Sequence, residues 1–595
     1  MNTRRRFLVQ APLIAAAASA KAADSADTPA GMPPAWGTAP GVGPEITPQT
    51  IAEASKLAQV RMKPAEVAQV AGAWRSTMAP LMERRSGPKK LAIPDAVSPA
   101  TLWQPLQFAP KANAQSQRFK RSADARLPLP ASDADIAYAP VTDLSRWIAA
   151  RKLTSERLTK IYLERIRQHD GKLRCIITLN ADGALAAARA ADAEIARGKY
   201  RGPLHGIPFG VKDLLDTAGI ATTWGAEPYR NRVPTKDAVV VERLKAAGAI
   251  LLAKLSLGAL ALNDVWFGGQ TMNPWCLDEG ASGSSAGPGA ATAAALVGFS
   301  IGSETGGSIV SPSMRCGVAG LRPTFGRVAR TGAMTLAWTL DKLGPMTRSV
   351  EDAMLVLQAI SGPDANDPYS VPSSSPGFDA DASVFGMKVG YIPAWLKEDP
   401  ATDVDRAALE HLLKLGLQPV PVELPDWPYG SLDMVIFAEA AAAFEELTLS
   451  GGVDQLKMQV MDAWPNIFRQ SRFLSAVDYV QADRLRRRVA QEMARIMSQV
   501  DVLLVPSLRG EMLTISNHTG HPSLTLRTGF VEVGEARSDW APDPANPLPK
   551  FSPPRRVPHG VTLIGRLFDE ARIAQVGAAL ERVSGVAAQR PPAFG

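Results

Sequence analysis

The sequence predicts an α/β fold, a single large mixed β-sheet covered by helices on both faces, with an N-terminal helical extension ahead of it. Three observations carry this expectation. Apolar runs of strand length at Cys175 to Leu179, Ile207 to Val211 and Ala249 to Ala253 alternate with helical periodicity at Ala181 to Arg197 and Ala238 to Ala247, the pattern of strands and covering helices. With 595 residues, 46% of them hydrophobic and 21% charged, the chain has ample material for a large core and no apolar run of membrane length. A Pro/Gly-rich stretch ending near Pro44 sets a short helical segment apart from what precedes it.

The elements follow in order. Thr3-Arg4-Arg5-Arg6-Phe7-Leu8 resembles a twin-arginine export signal, continued by an apolar run to Ala18 and small residues at Ala18-Ser19-Ala20 or Ala20-Lys21-Ala22. Residues 1–22 are therefore expected to be a signal peptide, 23–46 a linker, and the mature protein periplasmic or secreted. Thr47-Pro48 reads as a cap with proline at the first helical position, and Pro64 restarts the helix, giving a helical extension over 47–85. From 86 to 137 the chain is rich in Pro, Ala, Lys and Ser without steady periodicity and is expected to be an extended linker. The main domain is expected over 138–590. It opens with helices at Asp143 to Ala150 and Ser155 to His169. Further helices are expected at Val350 to Ile360, Asp405 to Leu415, Leu432 to Leu447, Val477 to Met497 and Asp569 to Arg582, and strands at Met387 to Ile392, Val502 to Val505, Ser523 to Leu526 and Val561 to Ile564. Glu532 to Arg556, heavy in Pro, Asp and Arg, reads as a surface insertion.

Charge and composition exclude several function classes. The formal net charge of +7 falls to +3 without Arg4, Arg5, Arg6 and Lys21 of the signal, and no dense basic run follows, so no nucleic-acid partner is expected. Cys175, Cys276 and Cys316 are too few for a disulfide framework. Metal-site spacings are lacking; His518-Thr519-Gly520-His521 sits in a Gly-Pro turn where a pair alone rarely builds a site. No cofactor, no metal and no stable membrane insertion are expected, and a homodimer is left open.

The reaction centre is read at Gly280 to Val328. Ser282, Ser284 and Ser285 lie in one Gly/Ser-rich turn, and Ser303, Thr305 and Ser308 in a second, with the Ala-rich helix former Ala290 to Gly298 between them. Consecutive amides in Thr305-Gly306-Gly307-Ser308 could converge on one atom, as a developing oxyanion requires. A flexible loop or phosphate cradle is the commoner meaning of such runs, but neither nucleotide-binding glycine pattern is present.

Gly283-Ser284-Ser285, Thr305-Gly306-Gly307-Ser308-Ile309 and Cys316-Gly317-Val318-Ala319-Gly320-Leu321-Arg322-Pro323-Thr324 together resemble the amidase signature family of serine hydrolases. Gly206-Ile207-Pro208-Phe209-Gly210-Val211-Lys212-Asp213, Asn273-Pro274-Trp275, Asp341 to Met346 and Thr519 to Pro522 extend the resemblance over roughly Val141 to Val583. It implies a Ser-Ser-Lys triad with Ser308 as nucleophile, Ser284 as bridging serine on a cis peptide and Lys212 as base, and an oxyanion hole of the Thr305, Gly306, Gly307 and Ser308 amides. The implied activity is hydrolysis of a small-molecule carboxamide to acid plus ammonia or amine. The chemistry agrees: a serine needs a neighbour to take its proton, and a lysine serves only when burial makes it neutral, which the apolar run before Lys212 favours. Taken alone, a lysine beside an aspartate after a strand is more often a surface ion pair.

The sequence departs from the commonest family pattern at Glu304, Ala286, Pro288 and Val310, the last standing where amidotransferase-type members carry arginine. Two alternatives remain. One is the A subunit of a glutamine-dependent tRNA amidotransferase. The other is an α/β-hydrolase-like esterase using Ser285, because Gly283-Ser284-Ser285-Ala286-Gly287 also satisfies Gly-x-Ser-x-Gly, with His518, His521 and His559 as candidate bases. Against it, Cys276 to Ala281 reads as polar and turn-like, where the elbow needs a strand. Cys316 reads as a packed residue rather than a nucleophile. In the resembling family the middle region walls the substrate cleft, which makes Trp427, Tyr429, Trp464 and Phe468 candidates to line it, against an equal claim as core aromatics.

Overall fold

The computed structural model describes residues 32–94, 97, 98, 100, 119–123, 128–372 and 376–595. The expected signal peptide lies outside the described residues. One eleven-stranded sheet organises the molecule. From edge to edge its strands are Gln418–Pro421, Lys388–Tyr391, Val502–Pro506, Lys550–Gly565, Ser523–Glu535, Ala319–Arg322, Lys342–Thr347, Phe299–Glu304, Pro208–Lys212, Ile250–Leu255 and Ile176–Leu179. Parallel pairs lie towards both edges and a run of antiparallel pairs fills the middle, so the sheet is mixed. Every residue of Phe299–Glu304 and Lys342–Thr347 is buried, as befits strands covered by helices on both faces.

Ala286–Ala293, Val310–Cys316, Val350–Ile360 and Glu570–Ser584 are among the covering helices. The helix expected over Leu432 to Leu447 is broken at Phe444 into Asp433–Ala443 and Glu445–Leu449. The extension is helical at Pro48–Ala58, Pro64–Thr77 and Ala79–Ser86, with the Thr47 hydroxyl capping the first helix. It docks through an apolar cluster of Ile51, Val67, Val70 and Ala71 against Phe473 and through a buried Arg84–Asp478 ion pair at 3.0 Å.

Three strands were not expected, and two expectations are corrected. The central strands Phe299–Glu304, Ala319–Arg322 and Lys342–Thr347 were hidden among glycines that look like turn signals. Gly302 and Gly344 face each other across the ladder, and a Cβ on Gly344 would lie 2.1 Å from the Leu321 carbonyl oxygen, so glycine serves close packing there. Glu532 to Arg556 is no simple surface insertion: Ser523–Glu535 and Lys550–Gly565 form one long hairpin paired as far as Glu535 and Lys550, with Arg537 and Asp539 at its tip buried. The supposed extended segment contains the helix Asp133–Tyr138, capped by Ser132, whose six residues are too few to show periodicity.

Candidate active site

Lys212 ends a strand whose five residues are all buried, flanked in parallel by Ile250–Leu255 and Phe299–Glu304. Its Nζ lies 2.7 Å from Ser284 Oγ, 2.9 Å from Ser303 Oγ, 3.1 Å from Ser285 Oγ and 3.4 Å from the Ser303 carbonyl oxygen. Burial pushes the lysine well below its ordinary pKa of 10.5, and the opposing pull of Asp341 and Glu304 does not restore it. The Gly283–Ser284 peptide is cis. Gly283 is required because a Cβ there would fall 1.8 Å from the Asn263 carbonyl oxygen.

Ser308 lies in the turn between the strand Phe299–Glu304 and the helix Val310–Cys316, half-buried in a cavity wall. Its carbonyl oxygen accepts from the Ser285 amide at 3.2 Å, which ties the two serine turns together. Gly307 holds φ at +143°, a backbone region favouring glycine. Thr305, Gly306, Gly307 and Ser308 all line the cavity, and among the described residues the amides of Gly306, Gly307 and Ser308 donate to no protein acceptor. The turn therefore presents unspent donors to whatever fills that space.

Glu304, unusual for the resembling family, fixes this turn. Its carboxylate is fully buried and accepts from the Ile309 and Val310 amides at 2.7 and 2.9 Å, from Asn517 Nδ2 at 2.9 Å and from Arg322 Nη1 at 2.6 Å. Burial alone would raise its pKa, but the Arg322 guanidinium and the amides outweigh it and hold the carboxyl below its usual range. Thr305 Oγ1 donates to Asp341 at 2.6 Å, pinning the other end.

Beneath the first serine turn lies a residue the sequence reading passed over. Asp539, at the hairpin tip, accepts from Ser282 Oγ at 2.7 Å and from the Gly283 amide at 2.9 Å, and pairs with the buried Arg315 at 3.1 Å. Arg537 is locked nearby by the buried Glu279. No local signal marked these side chains, because their partners are more than two hundred residues away in sequence. Ser285 and Ser303, 73 and 91 residues from Lys212, were not foreseen as its neighbours because sheet pairing, not local sequence, brings them together.

The cavity measures about 800 Å³. The serine turn forms one wall and the helix Asp433–Ala443 another, while residues 33–40, Val42 and residues 76–81, from the linker and the extension, close it. Trp427, Tyr429 and Trp464 line it, but Phe468 does not: it stacks on Trp464 at 5.0 Å. Trp36 and Phe437 also line it, 5.0 Å apart edge to face. Among the described residues no cluster of three or more His, Cys, Asp or Glu side chains is placed to hold a metal ion, and no helix is long and apolar enough to cross a membrane.

The elbow alternative meets a changed context, since Cys276–Gly280 is a strand rather than a turn, its buried Glu279 being neutralised by Arg537. Yet among the described residues that strand pairs only with Met272–Asn273, outside the main sheet. Ser285 is fully buried, away from the cavity wall, and its Oγ donates to the Ser303 carbonyl at 3.0 Å. The three histidines engage Thr514, Thr519 and Asp405, and burial pushes His518 and His521 down to about 3. Cys316 is fully buried against the Ala281 carbonyl, and burial raises its thiol.

Comparison with known proteins identifies the family and the fold. The family model described as Amidase matches residues 157–574. A putative amidase AmiD of Mycobacterium tuberculosis is 35% identical over 491 residues, covering 79% of this chain and 99% of that protein. The A subunit of a glutamyl-tRNA(Gln) amidotransferase from Anaeromyxobacter is 34% identical over 471 residues, covering 74% and 94%. The crystal structure of a native peptide amidase from Stenotrophomonas maltophilia superposes with a TM-score of 0.65 at 30% identity, over 77% of this chain and 99% of that one. A match over most of the chain in sequence and in fold leaves one assignment: the chain belongs to the amidase family, and the protein is an amidase.

Proposed function

We propose that the protein hydrolyses the C–N bond of a carboxamide through an acyl-enzyme at Ser308. The observation that carries the reading is the 2.7 Å separation of Lys212 Nζ and Ser284 Oγ in a fully buried pocket. A neutral amine has two N–H donors and one lone pair. Ser285 spends its proton on the Ser303 carbonyl, so it takes a lysine N–H, and Ser303 Oγ takes the other. The lone pair is left for the Ser284 hydroxyl, whose own oxygen is then free to accept from Ser308. On attack, Ser308 Oγ bonds to the carbonyl carbon, its proton passes to Ser284, and the Ser284 proton passes to Lys212. The carbonyl oxygen takes the negative charge and is met by the turn amides; losing one such donor typically costs about 3–4 kcal/mol of barrier. Run backwards, the relay protonates the departing nitrogen as the C–N bond breaks. Water then adds to the acyl ester, gives its proton to the same relay, and releases the acid while Ser308 regains its proton.

A fluorophosphonate probe tests the nucleophile. The expected result is one covalent adduct on Ser308, absent in Ser308→Ala; an adduct on Ser285 would replace this reading with the elbow one. The A subunit of a tRNA-dependent amidotransferase is the second reading, favoured by the Anaeromyxobacter relative. Against it, Val310 stands where such members carry arginine and packs in an apolar cluster with Met314, Leu508 and Leu513. We propose also that the protein is exported through its twin-arginine-type leader, supported by the order of basic, apolar and small residues in 3–22. Replacing Arg4 and Arg5 by lysine should then leave the precursor in the cytoplasm; unchanged periplasmic yield would refute export by this route.

A further inference from the structure

The cavity beside Ser308 has a strongly one-signed wall. Among the described residues six carboxylates line it, those of Glu83, Asp426, Asp433, Asp462, Glu511 and Asp539, against one basic side chain, Lys89, which is paired with Asp426 at 2.6 Å. Four of the others are engaged by protein donors: Glu83 by the Lys89 amide, Asp462 by the Ala541 amide, Glu511 by Arg509 and Asp539 by Arg315.

Asp433 differs from all of these. Among the described residues it has no cation beside it, and its one side-chain partner is the Trp36 indole. It opens the helix Asp433–Ala443, where the helix dipole favours negative charge, and Phe437, one turn on, lines the same cavity. Trp36 lies edge to face with Phe437 at 5.0 Å and tilted against Trp464 at 5.4 Å, so the indole that meets the carboxylate belongs to a cluster of three aromatic rings lining the same cavity. Desolvation in the cavity wall, where the residue is half-buried with no cation among the described residues beside it, pushes the Asp433 carboxyl up to about 7 against the opposing Trp36 contact. An anionic group among aromatic faces suits a desolvated ammonium, which gains from the charge and from the ring quadrupoles together.

We propose that Asp433, with Trp36, Phe437 and Trp464, binds an ammonium group of the substrate, so that the protein selects carboxamides carrying a positively charged amine. This rests on the reading that Ser308 is the nucleophile, since the same cavity serves both. The role is one of specificity: Asp433 takes no part in bond making. Trp36 belongs to the linker ahead of the extension, so that segment completes the amine site, giving a use to a stretch for which composition suggested none.

The test uses the full chain and two series of primary amides, ω-amino carboxamides of increasing length and alkyl carboxamides of matched length. At the length that spans Ser308 to Asp433, kcat/KM should favour the ammonium member by at least about tenfold, the scale of a buried charge contact supplemented by cation–π attraction. Asp433→Asn keeps an acceptor for the Trp36 indole while removing the charge, so the ammonium-to-alkyl ratio should collapse towards one; a purely structural role would lower both series and leave the ratio intact. Equal turnover of the two series at every length, or a preference that survives in Asp433→Asn, overturns the proposal. Binding of the same ω-amino carboxamides to Ser308→Ala, followed by tryptophan fluorescence and repeated with Asp433→Asn added, separates the two readings. Charge-dependent binding without turnover of any amide by the native protein would sink the hydrolase reading alone, whereas turnover without charge-dependent binding would sink the amine site alone.

Discussion

Replacing Lys212 by methionine tests the proposed base through two readouts that move independently. The native side chain is fully buried, and burial, opposed by Asp341 and Glu304, holds its pKa well below 10.5. The folded protein thus keeps this amine neutral over a range of pH in which the unfolded chain carries the proton. Within that window unfolding takes up one proton, so this residue makes the native protein more stable as pH rises, by about 1.4 kcal/mol per unit up to the unfolded pKa. Methionine has no such dependence. Removing the amine also strips a partner from Ser284, Ser285 and Ser303, a roughly pH-independent cost of about 1–3 kcal/mol per hydroxyl left unsatisfied. The difference in unfolding free energy, native minus variant, measured by urea denaturation at a series of pH values from about 8 to about 10, should therefore grow by up to about 1.4 kcal/mol per unit, whatever its starting value. In parallel, amide hydrolysis should fall by about 10²–10⁴-fold, the usual worth of a positioned base. Ester hydrolysis should fall less, because an alkoxide leaves more readily without protonation than an amine does. Stability curves that run parallel with pH would mean that Lys212 carries a proton in the folded protein, and equal losses for amide and ester would mean that it does not serve the leaving group.

Other perturbations follow from the same geometry. Asp539→Ala should destabilise the protein by about 3–5 kcal/mol, the cost of leaving a buried cation without its carboxylate, and should lower kcat through the unpinned Gly283 amide; stability within about 1 kcal/mol of native would show that the hairpin tip does not hold the serine turn. Glu304→Ala strands the fully buried Arg322 and frees the Ile309 and Val310 amides, so a loss of similar size is expected by thermal and urea unfolding, and a near-native midpoint would count against its anchoring role. All three cysteines are buried and burial raises each thiol, so a thiol reagent should modify none in the folded protein and all three after denaturation; rapid labelling of native Cys316 would contradict its packed environment.

The fold was readable wherever one face or both faces of an element were apolar over a long enough stretch. Val350–Ile360 appears at its expected bounds, and Pro208–Lys212, Val502–Pro506 and Ala476–Met497 lie within one or two residues of theirs. The centre of the sheet was not readable, because Phe299–Glu304 and Lys342–Thr347 are glycine-bearing strands whose packing partners come from elsewhere. At the site, Lys212, Ser284 and Ser308 were nominated by resemblance to a family's motifs, whose Gly/Ser-rich turns and apolar run are contiguous in sequence and therefore legible.

What the sequence by itself determined is the inventory: which residues have the chemistry, and that the chain belongs with a known family of catalysts. What only the tertiary structure decided is which side chains share space. Ser285 and Ser303 meet the lysine, Asp539 reaches back to Gly283 over 256 positions, and Trp36 meets Asp433 in the cavity wall. The reason is physical. A hydrogen bond or an ion pair needs atoms within a few ångströms, and a sheet built from eleven strands sets those distances through pairings between segments distant in sequence, as where Gly320 lies opposite Thr525, which no local pattern of polarity records.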